Sequence, residues 1–188
     1  MTVFLGVFLL AYIAGSINFA IIFLKWAGKG DPRELYSGNA GVTNVYRSAG
    51  RCWAVLILLS DLGRAILLAW ITLHFLPLLF TPWIAFALIL GNSFPCFHKF
   101  RGGKGVAAYL GFSVLLNSWA ALLSALIWII VFRLARLPFV ASFCMTLTLA
   151  VGLMNRCGWR TSVISATFAT LGLIAFNHRK NISALITK

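Results

Sequence analysis

Acidic side chains are almost absent from this 188-residue chain. Asp31, Glu34 and Asp61 stand against 16 Lys and Arg, for a formal charge of +13. Metal-ligand patterns are missing as well. Cys52, Cys96, Cys144 and Cys157 form no C-x-x-C pair and no zinc spacing, so neither a metal site nor a disulfide frame is expected. Cys96 and Cys144, in or beside apolar runs, read as small buried hydrophobes. The Walker spacing G-x-x-x-x-G-K-[ST] is absent, which removes the usual argument for ATP. No Lys or Arg precedes Lys25, so the stretch before it lacks the basic leader of a cleaved signal peptide and reads as a retained first span.

What the chain has instead is hydrophobic length. Apolar residues make up 61% of it, and the mean hydropathy is +0.95. A soluble protein with this positive charge would suggest nucleic acid as partner. Here the cations sit in short gaps between apolar runs, the pattern of cytoplasmic membrane loops, and no nucleic acid is expected. Seven apolar segments stand out: Val3–Trp26, Cys52–Leu73, Pro82–Phe97, Val106–Leu116, Trp119–Phe132, Phe139–Met154 and Thr161–Phe176. A bilayer core of about 30 Å asks for roughly 20 helical residues. The expected fold is therefore all-α, a polytopic helical bundle of about seven transmembrane segments in one domain over residues 1–188. The fourth segment is short and can pair with the fifth at Asn117–Ser118, which leaves a five-span arrangement open.

Charge fixes the expected orientation. With the N-terminus outside and seven crossings, 13 cations face the cytoplasm: Lys25, Lys29, Arg33, Arg47, Arg51, Lys99, Arg101, Lys104, Arg133, Arg136, Arg179, Lys180 and Lys188. Only Arg156 and Arg160 face outward, and Arg64 lies within the second span.

Three polar clusters then share the inner face. Ser37 to Arg47 reads S-G-N-A-G-V-T-N-V-Y-R, with hydroxyls, amides and a guanidinium but no acid. Gly38 and Gly41 let the backbone turn close to a ligand. That chemistry suits an anion, above all a phosphate; a polar loop capping a helix is the plainer alternative. Gly91 to Gly105 reads G-N-S-F-P-C-F-H-K-F-R-G-G-K-G, where Pro95 and the glycines break helix and Gly102–Gly105 feeds a helix N-terminus. Asn177 to Asn181 closes the last span, and His178 there is a base, a phosphate ligand or an interfacial side chain. Asp61 and Arg64, three residues apart, share one face of a membrane helix.

The first two clusters, together with Gly15-Ser16-Ile17 and H-R-K-N-I at 178–182, resemble the bacterial acyl-phosphate:glycerol-3-phosphate acyltransferases, the PlsY family, over most of the chain and in the same order. The resemblance implies a multi-pass inner-membrane enzyme of phospholipid biosynthesis. Such an enzyme moves a fatty acyl group from acyl phosphate to the 1-hydroxyl of glycerol 3-phosphate, giving lysophosphatidic acid and phosphate without a cofactor, a metal or a partner protein. It assigns glycerol-phosphate and catalytic roles to Ser37, Arg47, Lys104, His178 and Asn181. Asn39, Gly41, Thr43 and Asn44, with Gly102, Gly103 and Gly105, match the acyl-phosphate side. The acceptor of the hydroxyl proton is a substrate phosphate, His178 or Asp61. Asn92 stands where the family usually has His, Arg64 closes a D-L-G-R run in place of D-x-x-K-G, and Ala141 and Cys144 occupy Ser positions. These departures leave another acyl acceptor open. A transporter with a basic cavity is the non-enzymatic alternative, but it would more often show helix breaks in two matching halves.

Overall fold

A computed structural model describes residues 1–186; Lys188, counted above among the inner cations, lies outside them. Ten α-helices and three short 3-10 turns make up the described residues, with no strand among them. The helices are α1 (Thr2–Ser16), α2 (Phe19–Trp26), α3 (Val42–Ala49), α4 (Arg51–Phe75), α5 (Thr81–Ser93), α6 (Val106–Leu116), α7 (Ser118–Ala135), α8 (Pro138–Cys157), α9 (Thr161–Asn177) and α10 (Arg179–Ile186).

Every apolar segment is helical over most of its length. Five stretches are long and apolar enough to cross a bilayer: Thr2–Trp26, Arg51–Phe75, Leu78–His98, Ser118–Ala135 and Pro138–Cys157. Val106–Leu116 and Thr161–Asn177 are apolar but shorter. Large apolar side chains such as Leu9, Leu59, Leu67, Leu123 and Ile130 point out of the bundle, as a lipid-facing surface requires.

The first apolar stretch is not one helix. It breaks at Ile17, which is extended, and Asn18 starts α2 by accepting the Ile21 amide on its side chain at 3.1 Å. Hydropathy stays high across the break, so only Asn18 marks it in the sequence. Asn117 does the same between α6 and α7, accepting from the Ala120 amide and donating to the Gly152 carbonyl on α8.

α5 lies at the centre, packed on α1, α6 and α9, with Ile84, Ala85, Ala87, Leu88 and Ile89 fully buried. Lipid tails are as apolar as Leu, so close packing must bring the helices together. It does so through glycine. A Cβ at Gly15 would sit 2.2 Å from the Leu88 carbonyl oxygen, and one at Gly91 would sit 2.0 Å from that of Tyr12. Two backbones are in contact there, and this contact fixes α5 against α1 next to the helix break. Of the cysteines, Cys96 is exposed in the turn after Pro95, because that proline ends the apolar helix before Cys96 is reached; Cys144 is partly buried on α8.

Candidate active site

The polar clusters, far apart in the chain, meet around one cavity of about 420 Å³. Asn44 builds its first wall. From α3 its Oδ1 accepts from the Ser37 amide and hydroxyl at 3.2 and 3.0 Å, and its Nδ2 donates to the Pro32 and Leu35 carbonyls at 2.6 and 3.1 Å. With all four bonds made inside the protein and the residue 3% exposed, Asn44 organises the 32–37 loop. Ser37, Asn39, Gly41, Thr43 and Arg47 line the cavity from that loop and helix.

The second wall is the glycine turn. Pro95 stops α5, and the chain doubles back so that the Gly102 and Gly103 amides donate to the Ser93 and Asn92 carbonyls at 3.1 and 2.9 Å. A Cβ on Gly103 would stand 2.9 Å from both the Ala40 carbonyl oxygen and Asn92 Nδ2. Gly102 and Gly103 thus pack against neighbouring backbone and are not part of the cavity lining. Lys104 and Gly105 do line it, and so do the first residues of α6. Gly105 caps α6 in the left-handed region at φ 83° with no side chain to bond the free amides of the first turn. The positive end of α6 therefore opens into the cavity.

The third wall is the α9–α10 corner. His178 ends α9, and its Nδ1 lies 2.9 Å from the Ile174 carbonyl oxygen. A carbonyl only accepts, so Nδ1 carries the proton and Nε2 keeps a lone pair. Asn181, one turn on, accepts from Lys104 Nζ at 2.5 Å. Burial, and then the charge of Arg47, lowers Lys104 to a pKa of about 8. Burial and the nearby Lys104 charge lower His178 to about 4, against the hydrogen bond to Ile174, so the imidazole is neutral near pH 7.

Asp61, the single carboxylate lining the cavity among the described residues, is bonded to Arg64 at 2.9 Å. Three ion pairs occur among the described residues: Lys25–Asp31, Arg33–Asp31 and Arg64–Asp61. Arg47 and Lys104 belong to none of them, so the cavity holds two cations free to meet an anion. Beyond the polar end the lining becomes apolar, with Leu58, Leu110, Trp128, Ile129, Phe139 and Met145 from four helices. Asn92, seen in the sequence only as a departure from a motif, also lines the cavity, 4% exposed.

An all-helical membrane bundle whose cavity joins unpaired cations to an apolar groove defines the class: an integral membrane protein built to hold a molecule with an anionic head and a greasy tail. The family model for glycerol-3-phosphate acyltransferase matches residues 5–188. The glycerol-3-phosphate acyltransferase of Pseudomonas aeruginosa strain LESB58 is 37% identical over 182 residues, 94% of this chain and 93% of its own. That of Methylobacillus flagellatus is 38% identical over 181 residues, 94% and 90% of the two chains. The crystal structure of PlsY, an integral membrane glycerol 3-phosphate acyltransferase, in its glycerol 3-phosphate form superposes with a TM-score of 0.89. It shares 32% identity and covers 98% of this chain and 92% of that one. The lysophosphatidic acid form gives 0.85 at 31% identity, with the same coverage. The chain belongs to the glycerol-3-phosphate acyltransferase family.

Proposed function

We propose that this protein transfers a fatty acyl group from an acyl phosphate to the 1-hydroxyl of glycerol 3-phosphate, releasing lysophosphatidic acid and inorganic phosphate, in the bacterial inner membrane with its motif loops cytoplasmic. One observation carries the reading: Arg47 and Lys104, unpaired, share a cavity with an apolar groove on α4, α6, α7 and α8. Two phosphates need cations without competing carboxylates, and an acyl chain needs the groove. The solved relative captured with glycerol 3-phosphate and with lysophosphatidic acid supports the same substrate and product.

In this reading Ser37, Arg47, Lys104, His178 and Asn181 hold the glycerol phosphate. Asn39 and Thr43, with the open end of α6, face the acyl phosphate and the oxyanion that forms as the hydroxyl attacks its carbonyl carbon. The carbonyl–oxygen bond to phosphate then breaks, and phosphate leaves with the electron pair. Asp61 is engaged with Arg64, and His178 at about 4 is a weak base. A phosphate monoester, with its second pKa at about 6, is the stronger acceptor of the hydroxyl proton. His178 Nε2 then orients the glycerol phosphate by accepting a hydrogen bond from its 2-hydroxyl, whose proton is not transferred. The test is product analysis. Purified protein given acyl phosphate and glycerol 3-phosphate should release one phosphate for each 1-acyl lysophosphatidic acid formed.

A further inference from the structure

Arg64 does more than neutralise Asp61. Its guanidinium leaves α4 at 7% exposure and reaches the break between α1 and α2, where Nη1 donates to the carbonyls of Ala14 (3.0 Å), Gly15 (3.2 Å) and Ile17. The Ala14 carbonyl also takes the Ile17 amide at 3.2 Å, and the Gly15 and Ile17 carbonyls lie past that last bond of α1. The guanidinium also lies over the Phe19 ring, at 5.3 Å, on the far side of the break. Nη2 meets Asp61 and, at 3.4 Å, Asn92 Oδ1 on α5. One side chain therefore ties together the broken first helix and the end of α5.

Each of those attachments leads to one wall of the cavity. From the break, Asn18 donates to the Ala40 carbonyl at 3.4 Å, inside the 37–44 loop. From α5, the Asn92 and Ser93 carbonyls hold the Gly102–Gly103 turn. The two walls meet where Gly103 lies against Ala40. We infer that Arg64 is a positioning residue that sets the 37–44 loop and the 102–105 turn against each other through two separate arms, Asn18–Ala40 and Asn92–Gly103. This rests on the proposed reaction for its purpose, since those walls are the ones assigned to the two substrates. The geometry itself does not depend on it. Arg64 and Asn92, the two neighbouring departures from the family pattern, are in direct contact in this chain.

Amide hydrogen exchange on the full-length protein in detergent separates the arms. Arg64→Gln should speed exchange about tenfold or more in peptides covering both 37–44 and 99–105, while peptides from α8 keep the parent rate. Asn92→Ala leaves the Asp61 pair and the three carbonyl bonds in place, and should speed exchange in 99–105 alone. Should Arg64→Gln fail to fold, Arg64→Lys makes the same test, because it keeps a counter-charge for Asp61 but has one nitrogen for five acceptors. With folded protein normalised, kcat should fall about 100-fold for Arg64→Gln, the size of effect an ångström of misplacement produces. Unchanged exchange in 37–44, or equal acceleration along the whole chain, overturns the positioning role. A parent protein that makes no lysophosphatidic acid while the exchange pattern holds overturns the reaction and leaves the positioning intact.

Discussion

Lys104 Nζ donates to Asn181 Oδ1 at 2.5 Å, joining residues 77 apart in the chain. That bond closes the cavity between the glycine turn and the last corner of the bundle. It also aims a half-buried ammonium, with no carboxylate partner, at the space between them.

Removing that ammonium should be costly. A charge-assisted phosphate contact is worth about 1.5–3 kcal/mol, so Lys104→Ala and Arg47→Ala should each lower kcat/KM by roughly 10- to 150-fold. Arg47→Lys should recover part of the loss, since a point charge does not reproduce a planar fork. Arg133→Ala and Arg136→Ala, both exposed and outside the cavity, should leave turnover of folded protein within about twofold. Steady-state kinetics on equal amounts of folded protein checks all five.

The pH profile carries a second signature. Lys104 at about 8 is charged below that pH and loses its charge above it, so kcat/KM should fall as pH rises through about 8. Arg47 contributes to the lowering. Arg47→Ala should therefore reduce the rate at pH 7 but move the alkaline limb to higher pH. Lys104→Arg should abolish that limb, because a guanidinium stays charged throughout. An alkaline limb unchanged in Lys104→Arg would assign it to another group.

Asn44 separates loop building from substrate contact. Its removal takes one hydrogen bond each from the Pro32 and Leu35 carbonyls, which keep the Leu35 and Gly38 amides, and one from the Ser37 amide, each worth about 0.5–1.5 kcal/mol. Asn44→Ala should lower the melting temperature and kcat/KM together. Asn44→Asp, which sets a carboxylate oxygen against the same carbonyls, should be no better. Arg47→Ala, on the exposed face of α3, should lower kcat/KM at constant melting temperature.

Much of this was legible from composition and pattern. The seven apolar segments became helices because long apolar runs have few other ways to satisfy their backbone in a bilayer, and Pro95 with its glycines ended α5 as their chemistry dictates. The three polar clusters converge because the helices between them cross the bundle and return. What the sequence hid were contacts that depend on which helix lies beside which. Asn44 looked like a ligand-binding amide; it does line the cavity, and the folded 32–37 loop adds what the sequence hid, four bonds made within the protein. Arg64 looked like half of an ion pair, because the break at Ile17 carries almost no hydropathy signal. Gly102 and Gly103 looked like cavity lining and instead pack the turn against Asn92 and Ala40.

Helix contact gives a prediction about the fold itself. Gly15→Ala or Gly91→Ala would push a methyl to within 2.2 or 2.0 Å of a backbone carbonyl, with no flexible side chain to yield. Each should destabilise by about 1–3 kcal/mol or more. Gly172→Ala, where nothing lies within 4 Å, should be neutral or mildly stabilising. Thermal unfolding monitored by size exclusion in detergent reads the difference.

Orientation is open to chemical labelling. In a background with the four cysteines replaced, Leu35→Cys should resist an impermeant thiol reagent in intact cells, and Trp159→Cys should react. Both positions are exposed and lie on opposite sides of the expected topology. The reverse pattern would place the cavity loops outside the cell.

The donor is the point on which the proposed reaction stands. Purified protein should be given radiolabelled glycerol 3-phosphate with acyl phosphate in one reaction and acyl-CoA in another, and lysophosphatidic acid measured in both. The cavity has two free cations and an open α6 terminus but no Walker loop, so product is expected from acyl phosphate and not from acyl-CoA. Equal product from acyl-CoA, or none from either donor, would contradict it.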